Sequence, residues 1–182
     1  MKPWKRIEPT TVQKVGWRVI TTKTFEQSDG NVSAWDVMYP DGQEFVLGVA
    51  VTDAGQVIIG DQFRPGPERV MQEITAGFVD KGETPEQTIV RELQEETGYQ
   101  PGQVEYLGRV YKDSYLNACW HVFLLTECTL CTGQQLDTEE EINIRLISID
   151  ELLAIAKRGE TTDAGAIFMA YDKLVKLKEG KS

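Results

Sequence analysis

Residues 77–99 read GFVDKGETPEQTIVRELQEETGY. Thr84-Pro85-Glu86-Gln87 combines an N-cap threonine, a proline at the first helical position and a capping-box glutamine, so a helix opens there. Gly98 is placed to close it. Within this helix Glu92, Glu95 and Glu96 stand at i, i+3 and i+4, which gathers three carboxylates on one face. Like charges at this spacing repel, and the Arg91–Glu95 pair offsets part of that repulsion. The arrangement suits a divalent cation, because hard oxygen ligands favour Mg²⁺, or Mn²⁺, over zinc. A solvated acidic face is the commoner use of three glutamates, and the spacing alone leaves both readings open.

The flanks are rich in strand signals. Val15–Thr24 and Val32–Tyr39 read as two strands around the turn QSDGN at 27–31, and Pro40-Asp41-Gly42 reads as a second turn. Phe45–Thr52 and Gln56–Phe63 flank Asp53-Ala54-Gly55 as a hairpin. Val70–Thr75, Val104–Tyr111, Trp120–Leu125 and Ile142–Ile147 are further strand candidates. Ser148 and Glu151 open a helix running to about Arg158. Thr162 or Asp163 opens a third, with Ile167, Tyr171, Leu174 and Val175 as its apolar stripe. The expectation is an α+β fold, a mixed sheet covered by helices on its faces.

Composition narrows the class. The chain has 182 residues, 41% of them hydrophobic, enough for one domain with a core and a small appendage. Its 29 acidic and 19 basic residues leave a net charge of −10, which repels nucleic-acid phosphates and anionic membranes. The longest apolar run, Phe45 to Val51, is too short to span a bilayer. The start MKPWKRIEPTTV lacks the apolar stretch of a signal peptide, and three cysteines are an odd, low count; both lead to the expectation of a cytoplasmic protein. Cys119, His121, Cys128 and Cys131 lack the second tight pair of a zinc site.

The spacing within residues 77–99 resembles the signature of the Nudix hydrolases, GX5EX7REUXEEXGU with U a bulky apolar residue. Gly77, Glu83, Arg91, Glu92, Glu95, Glu96 and Gly98 match its fixed positions, and Leu93 and Tyr99 its apolar ones. The resemblance implies an α/β/α sandwich. It implies Glu92 and Glu96 as metal ligands, joined by a backbone carbonyl near Ala76, with Glu95 a weaker candidate. Arg91 would orient the carboxylates, and Glu83 would support them or add a ligand. A diphosphate-linked substrate is itself anionic, so a protein of this charge needs a cation between them.

Flanking residues resemble the ADP-ribose pyrophosphatase and nucleotide-sugar hydrolase branch. Gln62-Phe63-Arg64-Pro65 followed by Glu73-Ile74-Thr75-Ala76-Gly77 is similar to its QFRP…ELPAG run, with Thr75 in place of proline. Gly159–Ala164, GETTDA, is similar to its GEITDA segment. By this resemblance Arg64 faces phosphate or base, and Trp17 and Trp35, on the two expected N-terminal strands, sandwich a purine across a homodimer. Residues 1–43 would then form a small antiparallel sheet for dimerisation and stacking, and 44–182 the hydrolase domain. Glu140, in Asp137-Thr138-Glu139-Glu140-Glu141, aligns with the catalytic base or a further metal ligand, with Glu139 and Glu141 as alternates. The stretch Tyr111–Asn117 lacks the proline of the branch's SPG-like turn. ADP-ribose and nucleotide sugars such as GDP-mannose or ADP-glucose therefore both stay open as substrates. A non-catalytic sensor binding ADP-ribose-like ligands is the rival, and the intact signature speaks against it.

Overall fold

A computed structural model describes residues 1–138 and 140–180. The chain forms two compact units, Met1–Glu44 with Tyr111–Cys119, and Phe45–Val110 with the chain from Trp120 onward. Among the described residues no helix is long and apolar enough to cross a membrane.

In the first unit, β1 (Lys5–Val15) and β2 (Arg18–Glu26) form an antiparallel hairpin with Val15 opposite Arg18. The sequence pattern puts Val15 and Trp17 on one strand with Thr24. In the structure Gly16 takes φ +62° and turns the chain, so Val15 ends β1 and Trp17 lies in the turn. Glycine reaches this left-handed angle at little steric cost, and that outweighs the β-branched run around it. The ladder is interrupted between Ile7 and Thr11, around Pro9, which has no N–H to donate. β2 then pairs with β3 (Val32–Thr52) across the expected turn at 27–31, where Asp29 accepts from the Asn31 N–H at 3.1 Å.

Pro40-Asp41-Gly42 does not reverse the chain. β3 runs through it, with Tyr39 at φ +77° and Gly42 at φ +79°. Asp41 is tied to Arg6 at 2.8 Å, Lys23 at 2.9 Å and Asn117 at 3.0 Å, and these partners hold its carboxyl well below the usual carboxylate range. The local turn chemistry is present, and tertiary contacts give it another use.

The second unit is built on the later part of β3. Its hairpin to β4 (Val57–Arg64) has Val51 opposite Val57 and Gly55 at φ +82°. β4 also pairs with β5 (Arg69–Glu73) and β10 (Ile142–Ile147), and β6 (Thr75–Phe78) pairs with β3, all antiparallel. β7 (Tyr99–Gln100) and β8 (Gln103–Val110) pair with β9 (Leu116–Leu130), which starts earlier and ends later than the sequence suggests. Helices α1 (Pro85–Thr97), α2 (Ile149–Arg158) and α3 (Ala164–Glu179) complete an α/β/α sandwich.

Strand alternation sets the two faces. Val46 and Ala50 of β3 pack with Ile89 and Leu93 of α1 and with Phe123 and Leu125 of β9. Gly48 lies between them, where a Cβ would press into Ile89 and Leu125. α2 and α3 pack on each other, and α3 rests on β8, with Met169 close over Gly108. Full burial of Ile89 and Leu93 contributes about 1.5–3 kcal/mol each, whereas like charges at i,i+4 cost about 0.2–0.5 kcal/mol. Packing therefore decides that the acidic helix forms.

Candidate active site

α1 is fixed at both ends. The Thr84 hydroxyl accepts from the Gln87 N–H at 3.3 Å, and the Gln87 side chain accepts from the Thr84 N–H at 2.9 Å. At the other end Gly98, at φ +78°, donates to the Gln94 carbonyl at 2.8 Å. A Cβ there would also collide with the Thr132 carbonyl, so the position needs glycine twice over.

Arg91 is the centre of the acidic face. Its guanidinium lies 3.0 Å from Glu83, 3.0 Å from Glu92, 2.8 Å from Glu95 and 3.6 Å from Asp80. Glu83 also accepts from the Thr88 hydroxyl at 2.9 Å, and these partners hold its carboxyl below the usual range. Sequence reasoning misses Asp80; only its place in the loop before α1 hints at it.

Glu92 and Glu96 are in a different electrical state. Burial pushes the Glu92 carboxyl up to about 7, against the favourable pull of Arg91, with Glu95 and Glu140 adding to the rise. Burial also raises Glu96 well above the carboxylate range, and Glu92 and Glu140 raise it further. The Ala76 N–H and the Thr75 hydroxyl hydrogen-bond to Glu96 and offset part of this. Gly77 completes the cradle: a Cβ there would occupy the space of the Glu92 carboxylate.

The structure thus sets Glu92, Glu96 and Glu140 in one electrostatic group, beside Thr75–Gly77. Among the described residues the ligand oxygens of these three are not all within 4.8 Å of one another. An all-oxygen, partly buried acidic set fits a hard divalent cation, which would relieve the repulsion. Gln134 explains how Glu140 arrives. Its side chain donates to the Glu96 carbonyl at 2.7 Å and the Ile142 carbonyl at 3.1 Å, pinning both ends of the loop that carries Glu140. Gln135 adds a bond from its N–H to the Glu95 carbonyl at 2.8 Å. No sequence signal marks Gln134. Glu139, the alternate for Glu140, lies outside the described residues.

The other expected residues sit elsewhere. Arg64 ends β4 and is paired with buried Glu73. Trp17 is exposed in the β1–β2 turn, with the Arg18 guanidinium 4.9 Å from its ring centroid. Trp35 is flanked by Trp4 at 6.2 Å and Tyr115 at 6.1 Å between ring centroids. These three rings and Lys23, Phe25 and Asn117 line a cleft of about 250 Å³ within the first unit. The sequence does not single out Trp4 and Tyr115 as ring partners.

The fold and this acidic helix have known counterparts. The model of the NUDIX domain family matches residues 43–168. An ADP-ribose pyrophosphatase from Bacillus subtilis (strain 168) is 33% identical over 156 residues, 85% of this chain and 82% of that protein. A methanol dehydrogenase activator from Bacillus methanolicus is 28% identical over 146 residues, 78% of this chain and 77% of that one. A crystal structure described as an ADP compounds hydrolase superposes with a TM-score of 0.77 at 19% identity, covering 98% of this chain and 100% of its own, and so shares the fold. The chain belongs to the NUDIX family and is a Nudix hydrolase.

The raised carboxyls have a measurable consequence. A carboxyl whose pKa is higher folded than unfolded subtracts stability once the pH exceeds its unfolded value of 4.5. Between pH 5 and pH 8 the metal-free protein is therefore expected to lose stability as pH rises. Thermal melts in a chelator should show Tm falling over this window, and Glu96→Gln should raise Tm at pH 8 and flatten the slope. A wild-type Tm that climbs from pH 5 to pH 8 would contradict this account.

Proposed function

We propose that this Nudix hydrolase cleaves the pyrophosphate of a nucleoside diphosphate sugar, ADP-ribose or a nucleotide sugar, releasing a nucleoside monophosphate and a sugar phosphate. The observation that carries the reading is the coupled set Glu92, Glu96 and Glu140 beside Gly77. The name of the Bacillus subtilis relative supports the substrate class. Glu92 and Glu96, with Glu140 and the Ala76 carbonyl, would hold Mg²⁺, or Mn²⁺ in its place. When bound, the cation supplies positive charge to the phosphoryl oxygens and acidity to water.

The chain's own groups do the rest. Arg91 holds Glu83, Glu92 and Glu95 in place, so the carboxylates meet substrate already oriented. Arg64 contacts a phosphate oxygen. Glu140 takes a proton from the attacking water, the new P–O bond forms, and the bridging P–O bond breaks to free the second phosphate. Trp17 of one copy and Trp35 of another stack on the base in a two-fold dimer, and residues 1–43 supply the surfaces that pair.

Chromatography of products from a panel of nucleotide sugars tests the reaction. Monophosphate and sugar phosphate are expected with Mg²⁺ and not in a chelator. Tight binding of ADP-ribose with no product in Mg²⁺ would favour the sensor instead. Glu140→Gln should lower kcat by about 10²-fold or more with little change in KM, the size expected for a positioned base. If Glu139→Gln or Glu141→Gln shows that loss while Glu140→Gln does not, the role moves to that neighbour.

Assembly and base binding are tested together. Sedimentation should give a dimer. Trp35→Ala should raise KM for the best purine substrate by about 5- to 150-fold with kcat less affected, since one stacked ring contributes about 1–3 kcal/mol. A fully active monomer, or an unchanged KM, would reduce these tryptophans to packing residues.

A further inference from the structure

Glu73 is a charged side chain only 7% exposed, and the acidic helix makes no use of it. Its two oxygens have different tasks. Oε2 accepts from the Arg64 guanidinium, at 2.6 Å from Nε and 2.5 Å from a terminal nitrogen. Oε1 accepts from the Thr162 hydroxyl at 2.7 Å. Arg64 keeps 41% of its side chain exposed, so one edge of the guanidinium is clamped while the remainder reaches the surface. Directly across the β4–β5 ladder from Arg64 stands Arg69, also exposed. Two arginines side by side on a chain of net charge −10 make a local anion-attracting spot. Without a counter-charge they would repel each other, and Arg64 would swing freely on its long stem.

The same short segment serves the acidic helix. Glu73 precedes Thr75 and Ala76, whose hydroxyl and N–H hydrogen-bond to Glu96. Residues 73–76 therefore hold an arginine with one side chain and a carboxylate two residues further on. The span between an anion-binding edge and the acidic group is set by a few residues of extended backbone.

We propose that Glu73 is a positioning residue for substrate phosphate, acting through Arg64: it fixes the guanidinium so that its outer edge meets a phosphate oxygen, and Thr162 fixes Glu73. This rests on the assignment of Arg64 as a phosphate contact. Two guanidinium nitrogens held on one carboxylate oxygen fix the plane of the group, so its remaining donors point outward in a defined direction toward an anion.

The test is a double-mutant cycle on the full-length protein, with KM and kcat measured on the best nucleotide sugar in saturating Mg²⁺. Glu73→Gln should raise KM by about tenfold with kcat within about threefold, because it removes a charge-assisted contact that orients a binding group. Arg64→Ala should raise KM at least as much, and the double variant should be no worse than Arg64→Ala alone. Should Glu73→Gln fail to fold, Glu73→Asp, which keeps the charge and shortens the reach, should show the same KM rise and the same lack of additivity. Losses that add in the double variant would overturn the proposal, as would an unchanged KM in the Glu73 variants beside a raised KM in Arg64→Ala. An unchanged KM in Arg64→Ala itself would overturn the assignment of Arg64 and this proposal with it.

Discussion

Repulsion between carboxylates on one helix is the constraint around which the hydrolase unit is arranged. Glu92 and Glu96 face each other and Glu140, and burial makes their negative charge costlier still. Three devices keep them there. Ile89 and Leu93, fully buried on the adjoining face of α1, anchor the helix to β3 and β9. Arg91 neutralises the outer acids, Glu83 and Glu95, and reaches Glu92. The Ala76 N–H and Thr75 hydroxyl bond to Glu96 directly. What is left is a partly buried, all-oxygen acidic group of the kind a hard divalent cation would relieve.

The four signature glutamates are not equivalent, although the sequence presents them as one acidic run. Glu83 and Glu95 are bound to Arg91, and Glu83 is an easier acid than usual for that reason. Glu92 and Glu96 are weaker acids than usual because burial takes them out of water. Identical side chains thus divide into supports and candidate ligands through environment alone. Gly77 belongs to the same division. Its missing side chain is the space in which Glu92 lies, and its neighbours Thr75 and Ala76 supply the donors to Glu96. Thr75 stands where the related pattern has proline, and its hydroxyl makes a contact that proline could not.

Much of α1 is legible in the amino-acid sequence. Its caps, its limits and the carboxylate face follow from signals within four residues of one another, and the structure has them where the spacing puts them. The Asp53–Gly55 hairpin and the Ser148 cap are equally local. The N-terminal segment is harder to read. β1 carries few apolar residues and little alternation, so no pattern marks it, and the β-branched run around Trp17 suggests a strand where Gly16 turns the chain. Pro40-Asp41-Gly42 has every mark of a reversal and is instead threaded through β3, with Asp41 tied to residues far away in sequence.

The sequence by itself determined the helix, its ends and which carboxylates share its face, because helical periodicity and capping depend on neighbours three or four positions apart. It also determined the family, because the spacing of the signature is written along one short stretch. Only the tertiary structure decided which glutamates are buried and which are paired, since that depends on what the fold lays against them. Glu73 meets Thr162 across 89 positions of sequence, and Gln134 reaches Glu96 across 38. Such contacts leave no local pattern. They exist because strand pairing and helix packing bring distant segments together, and the electrostatic character of each side chain is set at that moment.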